Sequence, residues 1–456
     1  MFEKWFHLKE HGTDVRTEVV AGMTTFLSMA YILAVNPNIL SAGGMNRSGV
    51  FVATAIASAI ATFVMAFLAN YPIALSAGLG LNAYFAYTVC LGELGGDANA
   101  FRVALTAVFV EGLIFILLSL FKVREEIING IPSNLKNGIT VGIGLFIGFI
   151  GLRGANIVIP SGSTTVELGN FRDPGMTLAL IGFLIILVLA YYKVKGAVLI
   201  GILATWVLGM IAQAAGWYVV DIEAGVYSVF PDFSQGLNLG GISETAFKLD
   251  FAWVGAHFIQ FVAIVFAFLY VDLFDTIGTV VGVADKAGLL DKDGKLPRAG
   301  KVLMADAIGT TAGALLGTST VTSFVESSAG VAEGGKTGLT AFTTGVMFLV
   351  ALVLSPIFLA IPGFATAPAL IYVGMLMISS AKNIHFDGEV ADVAGAYMAI
   401  IMMPLSYSIA TGIMFAVVTW VIIKIFEGKT KDVSPVMWVV FVLFLLRIIT
   451  LVTNFQ

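Results

Sequence analysis

A single cysteine, Cys90, stands among 456 residues, which excludes an intramolecular disulfide framework and any thiolate metal site. The four histidines, His7, His11, His257 and His385, show no metal-ligand spacing, so neither metal nor cofactor is expected. Charge is scarce too. Only 12% of residues are Asp, Glu, Lys or Arg, against about 25% in a soluble domain. No nucleic-acid partner is expected. Residues 1–15 carry both signs of charge and lack the basic-then-apolar pattern of a leader, so no cleaved signal peptide is expected.

What the chain has is apolar length. Its residues are 58% hydrophobic and its mean hydropathy is +0.96, which together define a multispanning membrane protein. Fifty glycines suit closely packed membrane helices. Runs of spanning length fall near 16–35, 50–70, 100–121, 137–155, 175–192, 197–215, 252–284, 299–317, 338–361, 363–381, 391–406 and 407–426. Two further apolar pieces, about 72–91 and 318–332, are broken by Gly, Ser and Thr, and with them the segments number fourteen.

Lys and Arg set the orientation. With the N-terminus inside, 18 of them fall on the cytoplasmic side and 5 (Arg47, Arg102, Arg153, Arg172 and Lys248) outside, with Arg447 in a final apolar segment. The expected arrangement is a cytoplasmic N-terminus (1–15), a first seven-segment repeat (16–215), an acidic extracytoplasmic linker (216–250), a second, inverted repeat (251–427) and a C-terminal hydrophobic segment (428–456). Within that last part, 434–452 reads equally as a fifteenth span or an interfacial helix. The halves match in detail. About 62 residues separate the start of the first segment from Gly78, and about 62 separate residue 256 from Thr318. Thr-Trp-Val recurs at Thr205–Val207 and Thr419–Val421. Seven segments per half is an odd number, so the second half must be inverted. Broken segments at matching places of inverted halves point to a transporter's binding site.

Non-helical backbone at membrane depth must line a cavity or lie buried in protein. If Leu75–Asn82 and Thr318–Ser323 each lead into a half-helix, the positive ends of both half-helices meet at the midplane. Beside them lie acids. Asp272 and Asp275 share one helical face in an apolar run, where a carboxylate is expensive unless it faces a cavity or a partner. Glu326, at the start of the second half-helix, is the expected partner of Asp272. Asp275, followed by Thr276, serves either coupling or support. Asn82 either binds a polar ligand or caps the first half-helix, beside Gly80. Phe26, Phe85, Phe274 and Phe324 are candidates to stack on a flat ligand. Asp306, five residues past Lys301, reads as an interface ion pair, and Glu111 as a packing or dimer-contact acid.

From about Thr13 to Phe426 the chain resembles the nucleobase–cation symport family, in its guanine/hypoxanthine/adenine permease branch. The resemblance rests on Thr13–Glu18, Gly22–Phe26, Tyr31–Pro37, Ala77–Phe85, Asp272–Thr279 and Glu326–Gly330. It implies an all-α polytopic fold of fourteen transmembrane segments in a 7+7 inverted repeat, core and gate domains, and short strands in broken segments 3 and 10. It also implies purine nucleobase uptake by proton symport, a homodimer in the plasma (inner) membrane, and Asp272 and Glu326 as substrate acids. Uracil- and xanthine-transporting relatives carry Glu in segment 8, and some a His one turn later, where this chain has Asp272 and Asp275. The proton carrier is therefore not transferable. Two other readings compete: a sulfate- or bicarbonate-type anion transporter on the same architecture, and an intramembrane aspartyl enzyme. An anion site should avoid acids, and an aspartyl dyad draws its two acids from different helices.

Overall fold

The structure, a computed structural model, describes residues 2–95, 97, 99–120, 131–221, 226–233, 239–286, 289 and 297–453. At 274–275, 277–278, 281–282, 285–286, 447 and 450–453 only the backbone is described. Among the described residues nine helices are long and apolar enough to cross a membrane, and the remaining segments are shorter or broken.

The first half begins with segment 1 (Val15–Met29, resuming as Ile32–Ala42), whose start is capped by Asp14 accepting from the Thr17 amide at 3.0 Å. Segment 2 (Arg47–Val64) ends in a wide turn, Met65–Ala69. Segment 3 is β1 (Leu75–Ala77), a short helix (Leu79–Ala83) and a wide-turned helix (Tyr84–Glu93). Segments 4 (Ala100–Leu120), 5 (Ser133–Gly154), 6 (Pro174–Tyr191) and 7 (Ala197–Ala214) follow. Between 5 and 6 the chain forms an exposed hairpin, β2 (Val158–Ser161) with β3 (Thr165–Leu168), that the apolar pattern does not register.

The second half repeats the order. Segment 8 (Phe258–Lys286) is preceded by a separate turn of helix, Phe251–Ala256, where a single run was expected. Segment 9 (Ala299–Leu316) stops at Gly317, whose φ of +96° is open to glycine and whose missing side chain would meet Thr245. Segment 10 is β4 (Val321–Ser323) and a short helix, Ser327–Ala332. Segments 11 (Gly338–Ala351), 12 (Gly363–Ile378), 13 (Val390–Leu405) and 14 (Ile409–Phe426) complete it. The C-terminal stretch is a 19-residue helix, Pro435–Thr453, packed on segment 14, and its Phe444 ring stands 5.4 Å from Phe266 of segment 8.

Packing sorts the segments into two bodies. Segments 1, 2, 4, 8, 9 and 11 pack among themselves, with segments 3 and 10 between them, and form the core domain. Segments 5, 6, 7, 12, 13 and 14 form the gate domain. Pairs recur when the halves are exchanged: 1 on 11 corresponds to 8 on 4, 2 on 11 to 9 on 4, and 6 on 7 to 13 on 14. The fold is the fourteen-segment, 7+7 architecture. Large apolar residues of segments 6 and 7, such as Leu184, Val188, Val207 and Ile211, are exposed, as suits faces turned to lipid.

Candidate functional site

β1 and β4 pair antiparallel, with Leu75 opposite Ser323, Ser76 opposite Thr322 and Ala77 opposite Val321. Their sequences favour this, since Thr, Val and Ser satisfy a short extended stretch better than a helix. Two more bonds lengthen the ladder: Gly78 N–H to the Thr320 carbonyl at 3.1 Å and Phe324 N–H to the Ala74 carbonyl at 3.0 Å. A two-stranded sheet inside a membrane must have its outer edges satisfied. Side chains do this here. Thr62 of segment 2 accepts from Leu75 N–H at 3.0 Å, Ser327 accepts from Ala74 N–H at 3.0 Å, and Thr310 of segment 9 donates to the Val321 carbonyl at 2.9 Å. Both half-helices therefore start from one rigid crossing.

Around it lie buried polar groups. Asn82 is fully buried, accepts a short hydrogen bond from Ser319 and donates to the Ala77 carbonyl at 3.4 Å. It thus ties the first half-helix to the strand of the other half. Asn36 of segment 1 donates to Thr318 at 2.9 Å and to Thr54 at 2.7 Å. Glu326 occupies the N-cap position of the second half-helix and accepts from the Tyr31 hydroxyl at 2.5 Å. Tyr31 sits in the break of segment 1 between Met29 and Ile32. Pattern reading did not single it out; its only signal was a polar hydroxyl at a helix interruption.

Asp272 is fully buried on segment 8, which packs on β4 and on both half-helices. Its Oδ1 lies 3.1 Å from the hydroxyl of Thr276, which also lies 3.1 Å from both oxygens of Asp306 and 2.8 Å from Thr322 of β4. One expectation changes here. Asp306 is fully buried inside the core domain, not an interface ion pair, because the helix turns it toward segment 8 while Lys301 stays exposed. Glu111 is fully buried and accepts from Thr320 at 3.0 Å, which is the packing alternative of its expected reading, against the crossing. The side chains of Asp275 and Phe274 lie outside the described residues.

The other candidates are placed as follows. Gly80 packs where a side chain would press on Ile143 of segment 5 at 3.2 Å, so its smallness brings core and gate together. Phe26 and Phe324 are each 6% exposed, and Phe26 meets Phe348 edge to face at 5.4 Å. Phe85 meets Phe268 of segment 8 at 6.3 Å. Two cavities, of 780 and 710 Å³, meet at Gly154 at the end of segment 5, the first lined also by Trp217 and Phe364 and the second by Tyr407; neither is lined by Asp272 or Glu326.

A core and gate joined around a pair of half-helices define a membrane transporter rather than an enzyme. Residues 16–418 match the permease family Xan_ur_permease, and the chain belongs to that family. It is 46% identical over 448 residues to the guanine/hypoxanthine permease PbuO of Bacillus subtilis, covering 98% of this chain and 100% of that one. It is 40% identical over 450 residues to the adenine permease AdeP of Escherichia coli, covering 98% and 96%. Among solved structures it resembles the transmembrane domain of a cyanobacterial bicarbonate transporter, BicA, with a TM-score of 0.66 and 16% identity over 87% of this chain and 97% of that domain. That likeness concerns the fold alone.

Proposed function

We propose that the chain imports purine nucleobases, hypoxanthine or guanine ahead of adenine, by proton symport with alternating access of the core domain against the gate. The observation that carries this reading is the β1–β4 crossing, to which Asp272 is linked through Thr276 and Thr322 and after which Glu326 opens a half-helix. The names of the relatives supply the substrate class: guanine/hypoxanthine permeases and adenine permeases.

A 6-oxopurine offers ring N–H donors, acceptors and a flat face. Asp272 and Glu326 accept N–H groups from different edges of the ring, half-helix amides meet its acceptors, and Phe26 or Phe324 stacks on its face. Guanine presents a ring N–H with an adjacent amine, hypoxanthine keeps the ring N–H, and adenine lacks that donor. The chain works as a multi-pass protein of the plasma membrane with a cytoplasmic N-terminus, which the Lys and Arg asymmetry supports. It functions as a homodimer. Glu326 at the half-helix start disfavours the anion reading, because it puts a like charge where an anion would sit.

A thermal-shift panel on the detergent-purified protein tests the substrate class, since ligands stabilise in proportion to affinity. Hypoxanthine and guanine should raise the melting temperature, with uracil, sulfate and bicarbonate inert. A shift by the anions and none by purines would overturn the reading. Uptake into proteoliposomes with and without an inward proton gradient tests the coupling.

A further inference from the structure

Core and gate meet at both ends of the bundle, and the two ends are built differently. At one end the 780 and 710 Å³ cavities lie in the seam itself. The first is lined by Arg47 of the core and by Pro174 and Phe364 of the gate. The second is lined by Tyr87 and Thr88 of the core and by Arg153 and Tyr407 of the gate. The contacts around them are hydrogen bonds to uncharged acceptors. Arg47 donates to the Ile361 carbonyl at 2.6 Å, Asn38 to Thr366 at 3.4 Å and Thr88 to the Tyr407 carbonyl at 3.1 Å.

The other end is bridged by charge. Segment 6 starts at the first cavity with Pro174 and runs 18 residues, about 27 Å, before the turn that leads into segment 7. In that turn Lys195 of the gate pairs with Glu333 of the core. Among the described ion pairs it is the one that joins the two domains. The turn sits close to the core. Gly196 has a φ of +69°, and a side chain there would press on the Leu27 carbonyl of segment 1 at 3.3 Å. Glu333 closes the half-helix that Glu326 opens, so a pull on it is a pull on the substrate acid's own element. Lys195 is exposed and Glu333 partly buried, which makes the pair a weak and reversible fastening.

We propose that Lys195 and Glu333 form a bolt that holds core and gate together at this end, and that it parts each time the base leaves there. With the bolt closed, the seam is open to solute from the cavity end alone. With it parted, the turn of the gate moves off the half-helix and the seam opens at the opposite end. This rests on the alternating-access reading above. Neither residue touches the base; both are positioning residues that act through the half-helix. An exposed pair changes the ratio of two states by about five-fold at most, so the bolt biases the exchange without trapping it.

Two measurements on the full chain test this. A water-soluble carbodiimide joins a lysine amine to a carboxylate in contact with it as an amide, and the reagent takes up the water lost. In proteoliposomes it should yield a Lys195–Glu333 cross-linked peptide, read by mass spectrometry, and remove hypoxanthine uptake in proportion to that yield. The coupled protein should still gain melting temperature with hypoxanthine. Lys195→Arg keeps the charge and cannot be coupled, so it should keep its uptake under the same treatment. No cross-linked peptide, or the same uptake after treatment in both proteins, overturns the proposal. The second measurement does not depend on purines. Ser406→Cys, in the lining of the second cavity, is modified by a small thiol reagent in a Cys90→Ala background. Lys195→Glu and Glu333→Lys should each slow that modification about two- to five-fold, and the two together should restore it. Equal rates in all four proteins overturn the proposal. Where a charge reversal fails to fold, Lys195→Gln carries the same test through the exposed partner. If purines neither bind nor move, the purine reading fails while the modification rates still decide this one.

Discussion

Tyr31 donates its hydroxyl to Glu326 at 2.5 Å across 295 residues of sequence, so the break in segment 1 holds the acid that opens the second half-helix. Hydrogen bonds to charged groups contribute about 1.5–3 kcal/mol. Tyr31→Phe removes this one without changing the ring. The KM for hypoxanthine uptake should rise roughly 10- to 100-fold, with the amount of folded protein unchanged. An unaltered KM would mean that Glu326 keeps its pose without the phenol.

Glu18 of segment 1 is fully buried and receives the start of segment 11: Lys336 N–H at 2.9 Å, the Thr337 hydroxyl at 2.8 Å and the Thr340 hydroxyl at 2.7 Å. An anion at a helix N-terminus is favoured, and here it also fastens two core segments. Glu18→Ala should destabilise by at least about 1–3 kcal/mol through the donors left unsatisfied. The check is the melting temperature in detergent, where Glu18→Gln should recover part of the loss.

Gly330 lies in the second half-helix, and a methyl group there would run into Thr25 and the Ala21 carbonyl of segment 1. Overpacking of this kind costs about 1–3 kcal/mol, and the Ala21 backbone in the way is rigid. Gly330→Ala should therefore displace the half-helix and abolish the purine-induced thermal shift. Gly162→Ala, in the exposed hairpin turn with open space around it, is the control and should bind normally.

At one end of the bundle, Glu389 pairs with Lys424 and, at 2.8 Å, with Lys429, joining the start of segment 13 to the end of segment 14. Trp420 adds a bond to Asp392 at 2.6 Å. The hydrogen bond from Lys424 and then that from Lys429 lower the Glu389 pKa from 4.5 to about 2. A carboxyl whose folded pKa is depressed contributes stability above its unfolded pKa and loses it as pH falls through the folded one. Wild-type melting temperature should fall relative to Glu389→Gln between about pH 4.5 and pH 2. Above that window the wild type should be the more stable. Parallel curves across it would show that the latch contributes nothing.

The sequence by itself determined the membrane class, the family and the two broken segments, because each is written locally. Spanning length is a run of apolar residues, and a broken segment is a cluster of Gly, Ser and Thr within such a run. The expense of a buried carboxylate likewise marks Asp272 without knowledge of any neighbour. Only the tertiary structure decided which groups meet. The β1–β4 register, the Tyr31–Glu326 bond and the union of Asp272 with Asp306 through Thr276 join residues that no periodicity connects. Asp306 shows the reason. Its neighbour in sequence is Lys301, which suggested an ion pair at the membrane surface. A helix turns residues five apart to different faces, and burial against segment 8 gave Asp306 a threonine and a second acid instead.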